Sequence, residues 1–134
     1  MNQKTYLLDS NIILRYLLKD HEEYSNKASS LFLRIDKEEV TAEIPAFIIV
    51  ECVHVLSKFY EIPRTTITDK LIRLLNLNGI VNSDRSAIIN ALLHYQKTNI
   101  DFPDCLLTSL SSSEKKILSF DSDFKKLPAH LESL

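Results

Sequence analysis

The sequence predicts an α/β fold: a three-layer sandwich in which a central, mainly parallel sheet of about four or five short strands is flanked by helices. Two observations carry this. Apolar runs of about five residues alternate with longer segments whose apolar residues recur at spacings of three and four, and the alternation continues along the whole chain. At 134 residues the chain has the length of one ordinary core, so residues 1–134 read as a single domain.

The elements follow in order. "KTYLL" reads as a buried strand and "SNIILRYLLKD" as a helix that Ser10 or Asn11 could start by accepting a backbone N–H bond. A helix is expected from Glu22 to Asp36, with Ala28, Leu31, Phe32 and Ile35 as its apolar stripe. "EVTAEI" is a second strand. Pro45 suits a helix start, Val50, Val53, Leu56 and Phe59 continue one face, and that helix should end before Pro63. "TTITDKLIRLLNL" forms a further helix, with Gly79 as its natural stop. "GIVN" is a third strand, Ser83–Lys97 a helix, "DFPDCLLTSLSS" a short helix, "KKILSF" a fourth strand and "DSDFKKL" a loop or single turn.

Composition narrows the class. With 45% hydrophobic and 25% charged residues the chain is neither disordered nor membrane-like, and no apolar run reaches the ~18 residues that span a bilayer. No export signal is evident, so a cytoplasmic protein is the default expectation. A net charge of −2 gives no general attraction for nucleic acid, so any polyanion must be held locally. Arg15 and Lys19, on one helix face, are weak candidates for substrate contact; such charges more often form a solvated surface. Cys52 and Cys105 fit no metal or redox spacing and read as small buried hydrophobes.

Four carboxylates stand in apolar surroundings: Asp9 in "LLDSNIIL", Glu51 in "FIIVECVHVL", Asp104 in "FPDCLL" and Asp121 in "LSFDSDF". Singly, each has an ordinary explanation: Asp9 and Asp121 as helix caps, Glu51 as a half-exposed helix residue, Asp104 in the first turn of a helix capped by Asp101. As a group they invite a cation, because carboxylates a few ångströms apart repel by roughly 1–4 kcal/mol per pair at effective dielectrics of 80 to 20. Hard oxygen donors favour Mg²⁺ or Mn²⁺ over zinc, and such an ion makes an acidic pocket tolerable to a phosphodiester. Asp9 and Asp121 follow strands, the position at which parallel sheets collect ligands.

In order and interval, "LLDSNIILRYLL", "IIVECVHVL", "DFPDCLL" and "LSFDSDFKKL" resemble the acidic motifs of PIN domains, especially the VapC-type toxin ribonucleases. The resemblance covers nearly the whole chain. It implies a PIN-like sandwich, Mg²⁺- or Mn²⁺-dependent endonucleolytic cleavage of RNA, frequent homodimers and a small antitoxin that blocks the site. Asp9, Glu51, Asp104 and Asp121 match the family's catalytic and metal-holding acids. Ser10 and Asn11 match its small polar residues after the first acid, and with Asp101, Ser119 and Asp123 they form a surrounding set that orients the acids or binds through water. Asp104 is preferred to Asp101 because it precedes the small residue Cys105, where such motifs often carry alanine. Asp121 is preferred to Asp123 because it lies nearer the strand end.

Other readings have less support. Glu51 and His54 give one Glu-x-x-His copy where di-iron bundles need two, and a single glycine leaves no phosphate-cradling loop. Asn11 stands where a haloacid-type phosphatase would need a second aspartate. The rival from another class is a non-catalytic PIN-like or receiver-like module whose acids bind a cation or a basic partner peptide.

Overall fold

The computed structural model describes residues 4–134, which form two compact units divided between Arg85 and Ser86. The class is α/β: among the described residues six helices accompany a small parallel sheet.

In the first unit, β1 (Thr5–Leu7) and β2 (Thr41–Glu43) pair in parallel, Thr5 opposite Thr41 and Leu7 opposite Glu43. A parallel pair needs a long crossover, and α1 (Ser10–Leu18) with α2 (Glu22–Asp36) supplies it. The bend between these helices is made by Lys19, whose left-handed backbone (φ 53°) lets its N–H donate to the Arg15 carbonyl and close α1. His21 opens α2, its Nδ1 accepting from the Tyr24 N–H at 3.2 Å. Next come α3 (Ala46–Lys58), preceded by Pro45, and α4 (Arg64–Leu75), preceded by Pro63; the fixed φ of proline suits an entry where no N–H is needed.

The stripes of these helices bury Ile13, Ile35, Ile49, Leu56, Ile67, Leu71 and Leu75 completely. Each such side chain stabilises the fold by about 1.5–3 kcal/mol relative to exposure. Phe59, expected on the α3 face, is instead 74% exposed beyond the helix end. Gly79 does not stop α4 by adopting a left-handed backbone; its role is close approach. A Cβ there would run into the backbone oxygens of Ile35 and Val40, so only glycine lets the chain pass between the end of α2 and the start of β2.

The second unit carries α5 (Arg85–Lys97, beginning at the division), α6 (Phe102–Leu110) and a 3₁₀ turn at Ser122–Lys126. Ile88, Ala91, Leu92 and Tyr95 are buried along α5, as its spacing predicts, and Tyr95 meets Phe102 edge to face with centroids 5.9 Å apart. Cys52 and Cys105 are both buried and free.

The expected sheet of about four or five strands is corrected to two among the described residues. "GIVN" contributes a single bridge, Ile80 with Ala42. Beyond it Asn82 substitutes its side chain for a ladder: its Oδ1 accepts from the Ile44 N–H at 2.8 Å and its Nδ2 donates to the Ile44 carbonyl at 2.6 Å. "KKILSF" likewise reduces to one bridge, Ile117 with Leu131. A Ser112–Lys115 turn precedes that residue, and the Asp121 N–H donates to Ser119 Oγ after it, so local turns consume the rest of the run.

Candidate metal and nucleic-acid site

Two acidic groups arise, one in each unit. In the first, Asp9 sits where β1 has ended and caps α1, its Oδ1 accepting from the Ser10 N–H at 2.8 Å. Neither Ser10 nor Asn11 is the cap; both lie in the first turn. Glu51 is exposed on α3, whose Cys52 and Leu56 are buried. Asp9, Ser10, Asn11, Arg15, Glu51 and Tyr60 share an open cleft of about 670 Å³. Burial first, and then the negative charges of Glu51 and Asp9, together push the Cys52 thiol up to about 12.

Arg15 is the cation of this cleft. Its Nη1 lies 3.1 Å from Asp20 Oδ1, and Asp20 Oδ2 also accepts from the Tyr60 hydroxyl at 3.3 Å. Neither Asp20 nor Tyr60 is visible as a site residue in the sequence, since the first lies in an interhelix bend and the second just past α3. Lys19, paired with Arg15 as a candidate, closes α1 through its backbone N–H and is exposed. His54 is exposed, in keeping with a surface role.

In the second unit, Asp104, Asp121 and Asp123 each present an oxygen such that all three lie within 4.8 Å of one another. Asp104 comes from the first turn of α6, while Asp121 caps the 3₁₀ turn, its Oδ1 accepting from the Asp123 N–H at 2.9 Å. This turn brings Asp121 and Asp123 to one place beside Asp104. Asp123 also lies 3.4 Å from Lys126 Nζ. Asp101 occupies the cap position of α6 without a side-chain hydrogen bond there. The Asp104 carboxyl is pushed up, first by burial and then by the charges of Asp121, Asp101 and Asp123.

Three clustered carboxylates and no sulfur or imidazole donor make a set that fits a hard divalent cation. The raised Asp104 carboxyl fits it too, because such an ion would offset the repulsion that disfavours its charge.

The PIN domain family model matches residues 6–129. This chain belongs to the PIN domain family. No curated protein and no solved structure matches it. PIN domains are in general divalent-metal-dependent nucleases, so membership assigns this PIN domain to nucleic-acid hydrolysis, and its acidic cluster is compatible with that chemistry. Among the described residues no helix is long and apolar enough to cross a membrane.

Proposed function

We propose that this PIN domain is an endoribonuclease, the toxin of a toxin–antitoxin pair, acting in the cytoplasm as a homodimer and restrained by a small antitoxin. In this reading residues 1–134 work as one domain, and Asp9, Glu51, Asp104 and Asp121 are the catalytic and metal-holding acids. The observation that carries the reading is the cluster of Asp104, Asp121 and Asp123 in a chain of this family. The choice of RNA rests on the likeness of the four motifs to VapC-type ribonucleases.

Asp104 and Asp121 hold a Mg²⁺ or Mn²⁺ ion, with Asp123 beside them and Ser119 fixing the backbone that presents Asp121. When bound, the ion supplies Lewis-acid activation of water and of the phosphodiester. Asp9 is held in place by its cap bond, and Glu51 stands on a helix whose buried residues anchor its backbone beside the same cleft. Ser10 and Asn11 line the same cleft and position its polar contents. Arg15, fixed by Asp20, meets a phosphate and offsets the local excess of negative charge.

The test is to incubate the purified chain with single-stranded RNA, with Mn²⁺, with Mg²⁺ and with chelator, beside Asp9→Asn and Glu51→Gln. Metal-dependent internal cuts that both variants lose are expected. RNA left intact under every condition, or cut equally well by the variants, sinks the reading. Sedimentation reports the dimer, and co-purification with the product of the neighbouring gene reports the antitoxin.

A further inference from the structure

Beside the acidic cleft, α1 and α2 enclose a second one of about 450 Å³. Ile12 and Ala28 give it an apolar floor; Arg15, His21 and Lys27 supply nitrogen-bearing groups, and no carboxylate is among its lining residues. Asn11 and Arg15 line both clefts, so the two adjoin across a single turn of α1.

Its rim is an aromatic platform. The rings of His21 and Tyr24 stack with centroids 4.1 Å apart and planes 14° from parallel, while Tyr24 remains 54% exposed. The hydrogen bond from the Tyr24 N–H to His21 Nδ1 fixes the start of α2, so the pair is ordered before any ligand arrives. The cations are tethered but exchangeable: Lys27 is exposed and lies 3.5 Å from Glu23, a pair whose net stabilisation is small. Arg15 meets Asp20 through Nη1, and a guanidinium carries five N–H donors, so it has capacity beyond that carboxylate.

We propose that this cleft seats an unpaired base of an RNA strand, stacked on Tyr24, with Arg15 on the phosphate that leads toward Asp9 and Glu51; the identity of the substrate rests on the ribonuclease reading above. A flat aromatic face beside basic groups is how proteins hold single-stranded nucleic acid without reading its sequence. Duplex RNA keeps its bases inside the helix, so it cannot use the platform. The strand is therefore single at this point, and the site selects for loops and tails.

The experiment is fluorescence anisotropy of a labelled mixed-sequence single-stranded RNA and of its duplex, titrated in chelator so that nothing is cut. Tyr24→Ala should weaken single-strand binding at least about fivefold and Tyr24→Phe should keep it within about twofold, as stacking predicts. Duplex binding should be weaker and indifferent to both. Circular dichroism checks that the variants fold. Absence of RNA binding by the parent, parent-like affinity of Tyr24→Ala, or an equal loss in Tyr24→Phe would each overturn the proposal. Cleavage by the parent in Mn²⁺ is scored separately. Cutting with Tyr24-independent binding removes only this site, whereas Tyr24-dependent binding without cutting removes only the nuclease reading.

Discussion

The acidic residues of the two units are built differently. Asp9 and Glu51 stand on regular helices with anchored inner faces, and they share their cleft with a cation, Arg15. Asp104, Asp121 and Asp123 are crowded within 4.8 Å, two of them presented by a five-residue 3₁₀ turn, with Lys126 reaching only Asp123. The first group is held in place by the fold, while the second stores repulsion within it. A divalent ion should therefore matter more to the second.

The largest effect that tests this contrast is on activity. Asp104→Asn should cut the metal-dependent rate by more than about a hundredfold, since losing even an outer partner of a metal ligand commonly costs 10–100-fold. A variant retaining a tenth of the parent's rate would show that the crowded group is not where the ion acts. Next comes the ion's effect on stability. Saturating Mg²⁺ or Mn²⁺ at about 100 times its dissociation constant should add about 2.7 kcal/mol and raise Tm in a concentration-dependent way, and Asp104→Asn should blunt the rise. Calorimetry with and without chelator reads this directly.

Asp9 separates its two duties at a smaller scale. Asp9→Asn keeps a good cap and loses the charge, so activity should fall with stability nearly intact. Asp9→Ala should lose activity and also about 0.5–2 kcal/mol of stability, read by urea unfolding. Equal stability of the two variants would dissociate Asp9 from capping. The smallest effect concerns pH. The folded Asp104 carboxyl is raised above its unfolded value of 3.8, so its contribution favours the fold below that pH and is lost as pH rises through the folded value. In chelator, Asp104→Asn should remove that part of the pH dependence and leave the protein slightly more stable than the parent near neutrality. A thermal-shift series across pH measures it.

Much of this was legible in the sequence because helices advertise themselves. The stripe of Ala28, Phe32 and Ile35 gave α2 its observed ends, and Pro45 and Pro63 marked the entries to α3 and α4. The strands were over-read, since an apolar run states a preference for burial and says nothing about whether a partner backbone lies alongside. At Ile80 the ladder stops because Asn82 spends its amide on Ile44, which no periodicity reveals. The His21 cap was missed because histidine is an uncommon acceptor for a helix start, and the closeness of Asp123 to Asp104 and Asp121 depends on a 3₁₀ turn that no periodicity announces. That Asp104 and Asp121 meet was legible from the spacing of the acidic motifs. Asp20 and Tyr60 were not, because the periodicity carries both expected helices too far and hides the bends just past α1 and α3 in which these residues stand.

Cys52 offers a way to watch the first unit breathe. With its thiol pushed well above the ordinary range, Cys52 holds almost none of the reactive thiolate near neutral pH while the fold is closed. Alkylation must then wait for the segment bearing Glu51 to open, so the labelling rate becomes a clock for that opening. A ligand that clamps the neighbouring carboxylates would slow the clock without touching sulfur.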